Sequence, residues 1–482
     1  MSTVIVGVDI GTSSVKGIAY TENAEKIMEE TVNSKLITPK DNWYEQDPEK
    51  IVNTVKLVLK KLLSKIKSNN VVIGFSCQSP SLVVVGKNNR ALYNVITWLD
   101  RRAEEETKIL GETFDQWELY EKTGLRLDPM FFLPKILWFK NKMPKIFSNT
   151  KYFMQLKDYI FLRLTGNPVT DYSSASETQL MNLKGEWDTS LLDYLGIEES
   201  QLPSPKSSSY IIETKIEFLK RKVAFTLGGV DSACAALGVG VVEKGIVSDA
   251  TGTSTCLDVL ITTPTLDPEM RFEIHRHVID TKWLMEACTP TSGAALNKLI
   301  DLLGITEDID NLVKSSPIGS NGLITLPFFA GTRSPDWDPN LRGTIYGLSL
   351  NTKPADLVRS IMEGIAFWIK ETIDIWKKLG IEVREIRSSG GGAQSRVWTE
   401  IKANITQITI KVMKEVNASA LGAALLSGVA VNLFKEHEIL KFLKVKETFT
   451  PNLVQSKKYL DLYAKYLKFK KLALNHCNLL KI

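Results

Sequence analysis

The sequence predicts an α/β protein built of two layered domains, and three observations support this prediction. The chain has 482 residues, which is too long for a single ordinary hydrophobic core. Short apolar segments rich in β-branched residues alternate with amphipathic helical segments, the pattern of layered α/β domains. A strand followed by an aspartate and a Gly-Thr-Ser turn occurs once in each half of the chain, which indicates an internal repeat.

The N-terminal segment predicts a three-stranded meander. The apolar segments VIVGVDI, SVKGIAY and KIMEETV are separated by turn residues. The first turn contains Asp9 and the triplet Gly11, Thr12 and Ser13. Glycine lets the backbone approach a ligand closely, and successive backbone N–H groups form a concavity that binds anions. Taken alone, this turn is better explained as an ordinary hairpin turn.

Helices and strands alternate after this meander. Residues 48–68 begin with Pro48 in the first helical turn, and their apolar residues recur at helical spacing. The segment VVIGFS that follows predicts a short buried strand. Residues about 103–220 are richer in helical segments, which predicts a helical insertion. We therefore predict an N-terminal domain of residues 1–243 and a C-terminal domain of residues 244–482.

The second half of the chain repeats the first turn. The segment GIVSD ends in Asp249 and is followed by Gly252, Thr253 and Ser254. A third glycine cluster, Gly390–Gly392, lies between a strand-like and a helical segment, where its backbone can approach a nucleotide base or a phosphate. A tight strand-to-helix turn explains this cluster nearly as well. The two Gly-Thr-Ser turns with matching acids together predict a site that binds a polyphosphate.

A carboxylate with small neighbours stands in the segment TLGGVDSACAALGVG. Asp231 follows two glycines and a valine and precedes a helical segment of small residues. The small residues leave space around the carboxylate, which can then accept a proton from a substrate hydroxyl, the base role in phosphoryl transfer. The alternative is an ordinary helix N-cap, which the local sequence supports equally.

The composition argues against several classes of function. The 60 basic and 55 acidic residues give a net charge of only +5, so nucleic-acid binding is not predicted. No apolar run is long enough to span a membrane and no signal peptide is recognisable, so we expect a cytoplasmic protein. The five cysteines form no CxxC pair, and we expect buried free thiols. Neither a P-loop motif nor a Rossmann GxGxxG motif after the first strand is present.

Several motifs, in order, resemble those of the FGGY family of carbohydrate kinases. They are DIGTSSVK, WYEQDP, VITWLDRR, LKDYIFLRLTG with VTDYSSAS, GGVDSACAALGVG, DATGTS, the segment Leu326–Gly364 and GGGA. The resemblance extends from Val4 to about Leu425. It implies two actin-like (ribonuclease H-like) ATPase domains with a central cleft, and ATP-dependent phosphorylation of a sugar or polyol hydroxyl.

The resemblance also implies roles for individual residues. Asp231 is the general base that takes the proton of the attacking hydroxyl, and Asp9 holds Mg²⁺. The residues implied in ATP binding are Gly11, Thr12, Ser13, Lys16, Gly252, Thr253, Ser254, Gly391, Gly392, Ala393 and Asn404. Those implied in substrate binding are Gln78, Ser79, Trp98, Asp100 and Asp231. Lys16 is explained equally well as an exposed strand lysine.

The resemblance favours a ketopentose such as D-xylulose as the substrate, because segment 156–176 is similar to the insertion of pentulose kinases. Ser79 and Pro80 stand where related kinases have other hydroxyl-binding residues, so glycerol, ribulose or another polyol or sugar acid stays an alternative. A non-catalytic actin-like ATP-binding protein is the alternative from another class, against which Asp231 and the insertion argue. We expect no nucleic-acid or membrane partner, and the resemblance allows a homodimer.

Overall fold

The computed structural model describes residues 3–216 and 221–476 and divides into two compact units. Unit 1 contains Met1–Gly238, Ile261–Leu284 and Ala418–Leu443, and unit 2 contains Val239–Leu260, Met285–Asn417 and Lys444–Ile482. The sequence predicts domains of residues 1–243 and 244–482. The predicted N-terminal domain lacks the two later segments of unit 1, which fall within the predicted C-terminal domain. None of the helices within the described ranges is long and apolar enough to cross a lipid bilayer.

Strands and helices alternate along most of the chain. The strands are β1 (Val4–Ile10), β2 (Ser14–Tyr20), β3 (Lys26–Asn33), β4 (Glu45–Gln46), β5 (Val71–Cys77), β6 (Leu82–Val85), β7 (Val95–Ile96), β8 (Tyr152–Gln155), β9 (Val169–Asp171), β10 (Ser204–Lys206), β11 (Ile211–Ile216), β12 (Arg221–Val230), β13 (Gly245–Thr251), β14 (Thr255–Ile261), β15 (Glu273–Arg276), β16 (Trp283–Thr289), β17 (Ile324–Leu326), β18 (Thr344–Tyr346), β19 (Val383–Ser389), β20 (Thr409–Met413) and β21 (Val445–Phe449). The α-helices are α1 (Pro48–Lys65), α2 (Glu104–Thr113), α3 (Gln116–Thr123), α4 (Phe132–Lys142), α5 (Pro144–Asn149), α6 (Leu156–Thr165), α7 (Tyr172–Ser176), α8 (Thr189–Leu195), α9 (Asp231–Val239), α10 (Gly293–Leu303), α11 (Ile309–Lys314), α12 (Pro354–Lys378), α13 (Arg396–Thr406), α14 (Ala418–Ala430) and α15 (Leu453–His476). Short 3₁₀ turns occur at Glu199–Gln201, Ser320–Gly322, Gly392–Gln394 and Glu436–Lys441.

Six strands of unit 1 form one sheet in the order β11-β12-β5-β1-β2-β3. β2 is antiparallel to both β1 and β3, so the predicted meander is confirmed. β1 and β12 both run parallel to β5. The carboxyl ends of these three neighbouring strands therefore lie at the same edge of the sheet, the edge at which open α/β sheets bind their ligands.

Helix α1 begins at the residue that the sequence predicts. The side chain of Asp47 accepts hydrogen bonds from two backbone N–H groups of the first turn, and Pro48 occupies the first helical position, where no N–H is needed. The helix ends at Lys65, shortly before the predicted residue 68, because Ile66 is extended. Its apolar stripe, which includes Val55, is buried, and the helix packs against β2 and β3.

Helix α14 comes from the C-terminal part of the chain but packs against β1 and β5 of unit 1. A Cβ atom at Gly7 would lie 1.8 Å from the carbonyl oxygen of Ala420, and one at Gly74 would lie 2.3 Å from that of Ala423. Glycine is required at both strand positions because the helix backbone lies directly on the sheet. This helix completes the core of unit 1, which explains why the unit is discontinuous in sequence.

Helices are frequent in the first part of the segment that is predicted as a helical insertion. Helices α2 to α8, with the short strands β8 and β9, lie between Glu104 and Leu195. Side chains of α2 to α4, α7 and α8 share a core of aromatic and leucine side chains, whereas those of α6 and β9 join the core of the main sheet. The last part differs from the prediction, because Ile211–Ile216 forms strand β11 at the edge of the main sheet. The segment IIETKI is rich in β-branched residues, which favour a strand over a helix.

The main sheet of unit 2 includes β16, β14, β13, β19, β20 and β21 in that spatial order. β13 is antiparallel to β14 and parallel to β19, as β1 is antiparallel to β2 and parallel to β5. The two Gly-Thr-Ser turns are therefore the β1–β2 and β13–β14 connections of one repeated topology. This arrangement confirms the internal repeat that the sequence predicts.

The expectation of free thiols is wrong for two of the cysteines. Cys256 on β14 and Cys288 on β16 form a disulfide, with their Cα atoms 4.3 Å apart. The two strands are neighbours in the sheet, which brings together residues separated by 32 positions, and no spacing motif reveals this pairing. Cys77 and Cys234 are free thiols, and burial raises the pKa of both. Cys477 lies outside the described residues.

Candidate active site

Three strands of unit 1 bring the candidate residues to one edge of the sheet. In the register of β1, β5 and β12, Asp9 stands opposite Ser76, and Ser76 stands opposite Gly229. Neighbouring strands lie about 4.8 Å apart. Gln78 and Asp231 directly follow the ends of β5 and β12. The fold thus gathers at one edge residues that are far apart in sequence.

Asp9 lies deep among protein atoms, although part of the residue remains accessible. Its Oδ1 accepts a hydrogen bond of 2.9 Å from Ser76 Oγ, and Lys16 stands directly opposite it on β2. Burial raises the pKa of the Asp9 carboxyl, although Ser76 and Lys16 both favour its charged form. The raised pKa indicates a negative charge that the surroundings compensate only in part. An accessible carboxylate of this kind fits Mg²⁺, which prefers oxygen ligands.

The first Gly-Thr-Ser turn is tied to the sheet by backbone hydrogen bonds. Gly11 N donates to Ser14 O over 2.9 Å, and Ser34 N donates to Ser13 O over 2.8 Å. Ser13 is exposed and Gly11 is half-buried, so both are accessible to a ligand. The turn therefore presents its backbone at the same edge as Asp9.

Thr12 joins this turn to two of the predicted substrate residues. Its hydroxyl donates to Gln78 Oε1 over 2.6 Å and accepts a bond of 3.2 Å from Trp98 Nε1. Gln46 closes the network, since it accepts from Gln78 Nε2 over 2.6 Å and donates to the Thr12 carbonyl over 2.8 Å. Gln46 is not among the predicted residues, although it lies within the motif WYEQDP. The Thr12 hydroxyl faces the substrate residues, so a phosphate contact of Thr12 is left to its backbone.

The structure corrects the role predicted for Asp100. This residue is fully buried, and both of its carboxylate oxygens accept hydrogen bonds of 2.8 Å from the Arg102 guanidinium. Tyr44 N donates a further bond of 2.6 Å. A substrate hydroxyl cannot reach this carboxylate, so its role is structural. Ser79 remains half-buried, and its hydroxyl accepts a bond of 3.1 Å from Gln155 Nε2.

Asp231 is the first residue of α9 and remains half-buried. Its Oδ1 accepts a hydrogen bond of 3.0 Å from the backbone N–H of Ser232. Strand β12 before it requires glycine at an irregularity in its pairing with β5, because Gly228 has a φ of +74° and a Cβ atom there would lie 1.8 Å from the carbonyl oxygen of Phe75. The positive end of the helix dipole favours the ionised carboxylate, which is the form that a general base needs.

The second Gly-Thr-Ser turn follows β13 in unit 2. It is closed by a hydrogen bond of 2.8 Å from Gly252 N to Ser254 O. The backbone N–H groups of residues 292–294 at the start of α10 donate to the carbonyls of Gly252 and Thr253 and hold the turn from one side. Gly252 and Thr253 are exposed, so the turn is accessible to an anion.

The glycine cluster after β19 lies beside this second turn. Cβ atoms at Gly390 and Gly392 would lie 2.7 Å from the carbonyl oxygen of Thr251 and 2.3 Å from its Cγ2. Gly391 is exposed, whereas Ala393 is buried with only 5% of its surface accessible. The structure thus brings the predicted phosphate turn and the predicted adenosine loop together within unit 2.

Asn404 on α13 does not take part in this loop. Its Oδ1 accepts a hydrogen bond of 2.7 Å from Asn452 N, and its Nδ2 donates over 2.9 Å to Gln455 Oε1 on α15. Both ends of the amide therefore anchor the start of α15. This placement corrects the predicted contact of Asn404 with adenosine.

The second aspartate of the repeat has different surroundings from the first. Asp249 Oδ2 accepts hydrogen bonds from Lys402 Nζ over 2.8 Å and from Ser388 Oγ over 2.6 Å, and Oδ1 accepts one of 2.5 Å from Thr251. Lys402 and Asp249 are both buried. The ammonium group compensates the buried charge of Asp249, so Asp9 is the better cation ligand of the two repeated aspartates.

Comparisons with known proteins agree with this arrangement. Residues 4–238 match the N-terminal domain of the FGGY family of carbohydrate kinases, and residues 249–431 match its C-terminal domain. A xylulose kinase of Staphylococcus epidermidis is 30% identical over 480 residues, which cover 96% of this chain and 95% of the relative. A gluconokinase of Bacillus subtilis is 29% identical over 448 residues, which cover 88% of this chain and 87% of the relative.

Solved structures show the same fold. The ligand-bound xylulose kinase from Lactobacillus acidophilus has a TM-score of 0.92 at 29% identity, with 98% of each chain covered. The gluconate kinase from the same organism has a TM-score of 0.93 at 29% identity, with 98% of this chain and 99% of that chain covered. These neighbours define the class, which is the two-domain sugar kinases with an actin-like ATPase fold.

The chain belongs to the FGGY family of carbohydrate kinases. It is therefore a phosphotransferase that acts on a small-molecule sugar, and kinases of this family use ATP as the phosphate donor.

Proposed function

We propose that this chain transfers the γ-phosphoryl group of ATP to a hydroxyl of a ketopentose such as D-xylulose, with Asp231 as the general base. The observation that carries the proposal is the shared edge of β1, β5 and β12. Asp9, Gln78 and Asp231 stand at or directly after the carboxyl ends of these adjacent parallel strands. A metal ligand, a hydroxyl-binding amide and a base are the groups that phosphoryl transfer to a sugar needs.

Each candidate residue has a defined task in this proposal. Asp231 takes the proton of the attacking hydroxyl while the new P–O bond forms and ADP leaves with the electrons of the broken bond. Asp9 holds Mg²⁺, which when bound neutralises charge on the transferred phosphate. The backbones of Gly11–Ser13 and Gly252–Ser254 bind phosphate oxygens, Lys16 adds positive charge, and Gly391–Ala393 contact adenosine.

The candidate substrate residues favour a neutral sugar. Gln78, Ser79 and Trp98 carry no charge, and Asp231 is acidic, so they suit hydroxyl groups better than a carboxylate. Trp98 packs against an apolar cluster that includes Met130 and can form a wall beside the carbon chain of the sugar. A site built to bond hydroxyls discriminates strongly against analogues that lack them.

A sugar acid such as gluconate is the second candidate, because the gluconokinase relative is about as similar as the xylulose kinases. The carboxylate of gluconate needs a cationic side chain in the site to bind it. Arg126 follows Leu125, which belongs to the cluster against which Trp98 packs. Burial lowers the pKa of the Arg126 guanidinium, which indicates a cation in a medium of low polarity.

The proposal is tested by ATP turnover with D-xylulose, D-ribulose, glycerol and D-gluconate in parallel, with each phosphorylated product identified by mass spectrometry. We expect the highest kcat/KM with D-xylulose. Turnover that does not depend on any sugar would contradict the proposal. If the highest kcat/KM is found with gluconate and is lost in Arg126→Met, the sugar acid replaces the ketopentose as the substrate.

Asp231→Asn removes the base while it preserves the size of the side chain. We expect kcat to fall by about 10²–10⁴-fold, the usual contribution of a general base, while ATP affinity is unchanged. Coupled turnover and titration calorimetry measure the two quantities. Asp115→Asn is the matched control, because Asp115 is an exposed helix cap of α3 and Asn caps equally well. Wild-type kcat in Asp231→Asn would remove this residue from the mechanism.

A further inference from the structure

A buried polar cluster lies beside the end of β12 and has no part in the mechanism described above. It contains Lys157 and Asp158 on α6, Asp171 at the end of β9 and Ser173 on α7. Lys157 is 2% exposed, and the other three residues are fully buried. Burying charged groups is costly unless they are paired, so a cluster at this depth has a specific structural reason.

Lys157 is held between two carboxylates. Its Nζ lies 2.9 Å from Asp158 Oδ1 and 3.2 Å from Asp171 Oδ1. Burial disfavours the ammonium form, but the two carboxylates outweigh burial and raise the pKa of Lys157. The lysine therefore stays charged and fixes the position of Asp171.

Asp171 in turn orients Ser173. The Ser173 hydroxyl donates to Asp171 Oδ2 over 2.6 Å. Asp171 also caps α7, since it accepts bonds of 3.1 Å from Ser174 N and 2.6 Å from Ser174 Oγ. A hydroxyl that donates its one hydrogen to a fixed carboxylate has its lone pairs pointing in a defined direction.

The lone pairs of Ser173 are directed at the residue before Asp231. Val230 N donates a hydrogen bond of 3.1 Å to Ser173 Oγ. A Cβ atom at Gly229 would lie 2.5 Å from the same oxygen and 2.3 Å from Val278 Cγ1, so the backbone rests directly against these side chains. The chain of hydrogen bonds thus ends at the Gly229–Val230 peptide group, one residue before Asp231.

We propose that Ser173, oriented by Asp171, is a positioning residue that fixes the backbone before Asp231 and thereby aims the Asp231 carboxylate at the acceptor hydroxyl. This inference rests on the proposed function, in which Asp231 is the general base. A base must lie within hydrogen-bond reach of the proton, and a misplacement of about 1 Å can cost about 10²-fold in rate. Ser173 and Asp171 act only through the backbone of Val230 and do not touch the substrate.

Ser173→Ala removes the acceptor and leaves the Val230 N–H without a partner. We expect kcat to fall about tenfold to a hundredfold with a clearly smaller rise in the sugar KM and an unchanged ATP affinity, because a misplaced base loses more in the transition state than in the bound ground state. Amide hydrogen exchange at Val230 should become faster. Loss of kcat together with an equal rise in KM would show a general structural role and overturn the inference.

Ser176→Ala is the matched control. Ser176 is also buried on α7, and its hydroxyl accepts a bond of 3.0 Å from Arg276 N. It donates one of 2.9 Å to the Ser173 carbonyl, so it contacts the backbone of Ser173 but not the hydroxyl that accepts from Val230 N. We expect this variant to keep wild-type kcat even where its stability falls. A loss of kcat in Ser176→Ala as large as that in Ser173→Ala would overturn the positioning role.

Ser173→Cys covers the case in which the alanine variant does not fold. Cysteine keeps the size of the side chain but is a weaker acceptor, so we expect a kcat below that of wild type. Wild-type kcat in Ser173→Cys, with Asp231→Asn inactive, would overturn the inference and leave the proposed function intact. Wild-type kcat in Asp231→Asn would overturn both.

Discussion

The two aspartates of the internal repeat have the same partners in the sheet but different charges around them. Asp9 stands opposite Ser76, and Asp249 stands opposite Ser388, in neighbouring parallel strands. Each aspartate accepts a hydrogen bond from that serine. Asp249 is also paired with the buried ammonium of Lys402, whereas burial dominates at Asp9 and raises its pKa. The same motif therefore yields a structural ion pair in unit 2 and a candidate metal ligand in unit 1.

Asp9→Asn is expected to stabilise the fold while it lowers kcat. Because burial raises the pKa of Asp9, the folded chain keeps a proton on this group where the unfolded chain has lost it, so stability falls as the pH rises above about 3.9 and through the folded pKa. At neutral pH the asparagine avoids this cost, and we expect the thermal midpoint to rise by about 2–4 °C, the effect of about 1 kcal/mol in a domain of this size.

Asp249→Asn is the matched control for this measurement. It leaves the buried ammonium of Lys402 without its carboxylate, so we expect the thermal midpoint to fall. A lower midpoint in both variants would contradict the distinction between the two aspartates.

Thr12→Val is expected to weaken sugar binding. The change removes the hydroxyl that joins Gln78 and Trp98, and an unmade buried hydrogen bond costs about 1–3 kcal/mol, so the sugar KM should rise about tenfold or more. Thr12→Ser keeps the hydroxyl and serves as the control. If the valine variant instead lost ATP affinity with an unchanged sugar KM, the hydroxyl would bind the phosphate, as the family resemblance implies.

At the scale of elements, the motif WYEQDP mainly holds secondary structure together. Trp43 stacks on the Arg102 guanidinium at 3.9 Å, and Glu45 accepts a bond of 2.7 Å from the same group. Asp47 caps α1. Gln46 is the residue of this motif that reaches the candidate site. The motif therefore predicts the fold more directly than it predicts contacts with a ligand.

The close contact of α14 with the sheet predicts a severe effect of one added methyl group. In Gly7→Ala the new Cβ meets the helix backbone at Ala420, which cannot give way as a flexible side chain would. We expect a loss of about 3 kcal/mol in the free energy of unfolding, measured by urea denaturation. In Gly111→Ala on α2 the Cβ would meet only Leu127 at 3.6 Å and Gln116 at 3.9 Å, so we expect a gain of about 0.5–1 kcal/mol. Equal losses in both variants would contradict this explanation.

At the scale of the whole molecule, each compact unit is assembled from segments that are distant in sequence. Unit 1 takes α14 from residues 418–443, and this helix covers β1 and β5. Where a distant helix alone covers one face of a strand, removal of that helix exposes the apolar side chains of that face to water.

A fragment of residues 1–243 is therefore expected not to fold cooperatively, although its boundaries follow the predicted N-terminal domain. Circular dichroism during urea denaturation should show no sharp transition. Addition of one peptide of residues 414–443 and one of residues 261–284 is the control, and it should restore the transition because the two peptides supply α14 and the other later segment of unit 1. Cooperative unfolding of the fragment alone would show that α14 is dispensable for unit 1.

Most of the elements could be predicted because they depend on neighbours in sequence. The meander, α1 and the two repeated turns follow from apolar periodicity, glycine and proline. The strand at Ile211–Ile216 and the disulfide between Cys256 and Cys288 could not, because both depend on which strands become neighbours in a sheet. The same distinction applies to the candidate site, where the local motifs could be predicted but the contacts between distant residues could not.

The sequence by itself determined the α/β class and the repeat, because both follow from local patterns. Its resemblance to the FGGY family selected Asp9 and Asp231 as candidates, because each stands in a motif of that family. Only the tertiary structure decided what those groups face. In the structure, the buried Asp100 pairs with the Arg102 guanidinium, and Gln46 joins the hydrogen-bond network around Thr12. The reason is that charge compensation and hydrogen bonding depend on distance in space, and residues far apart in the chain meet only after the strands have paired.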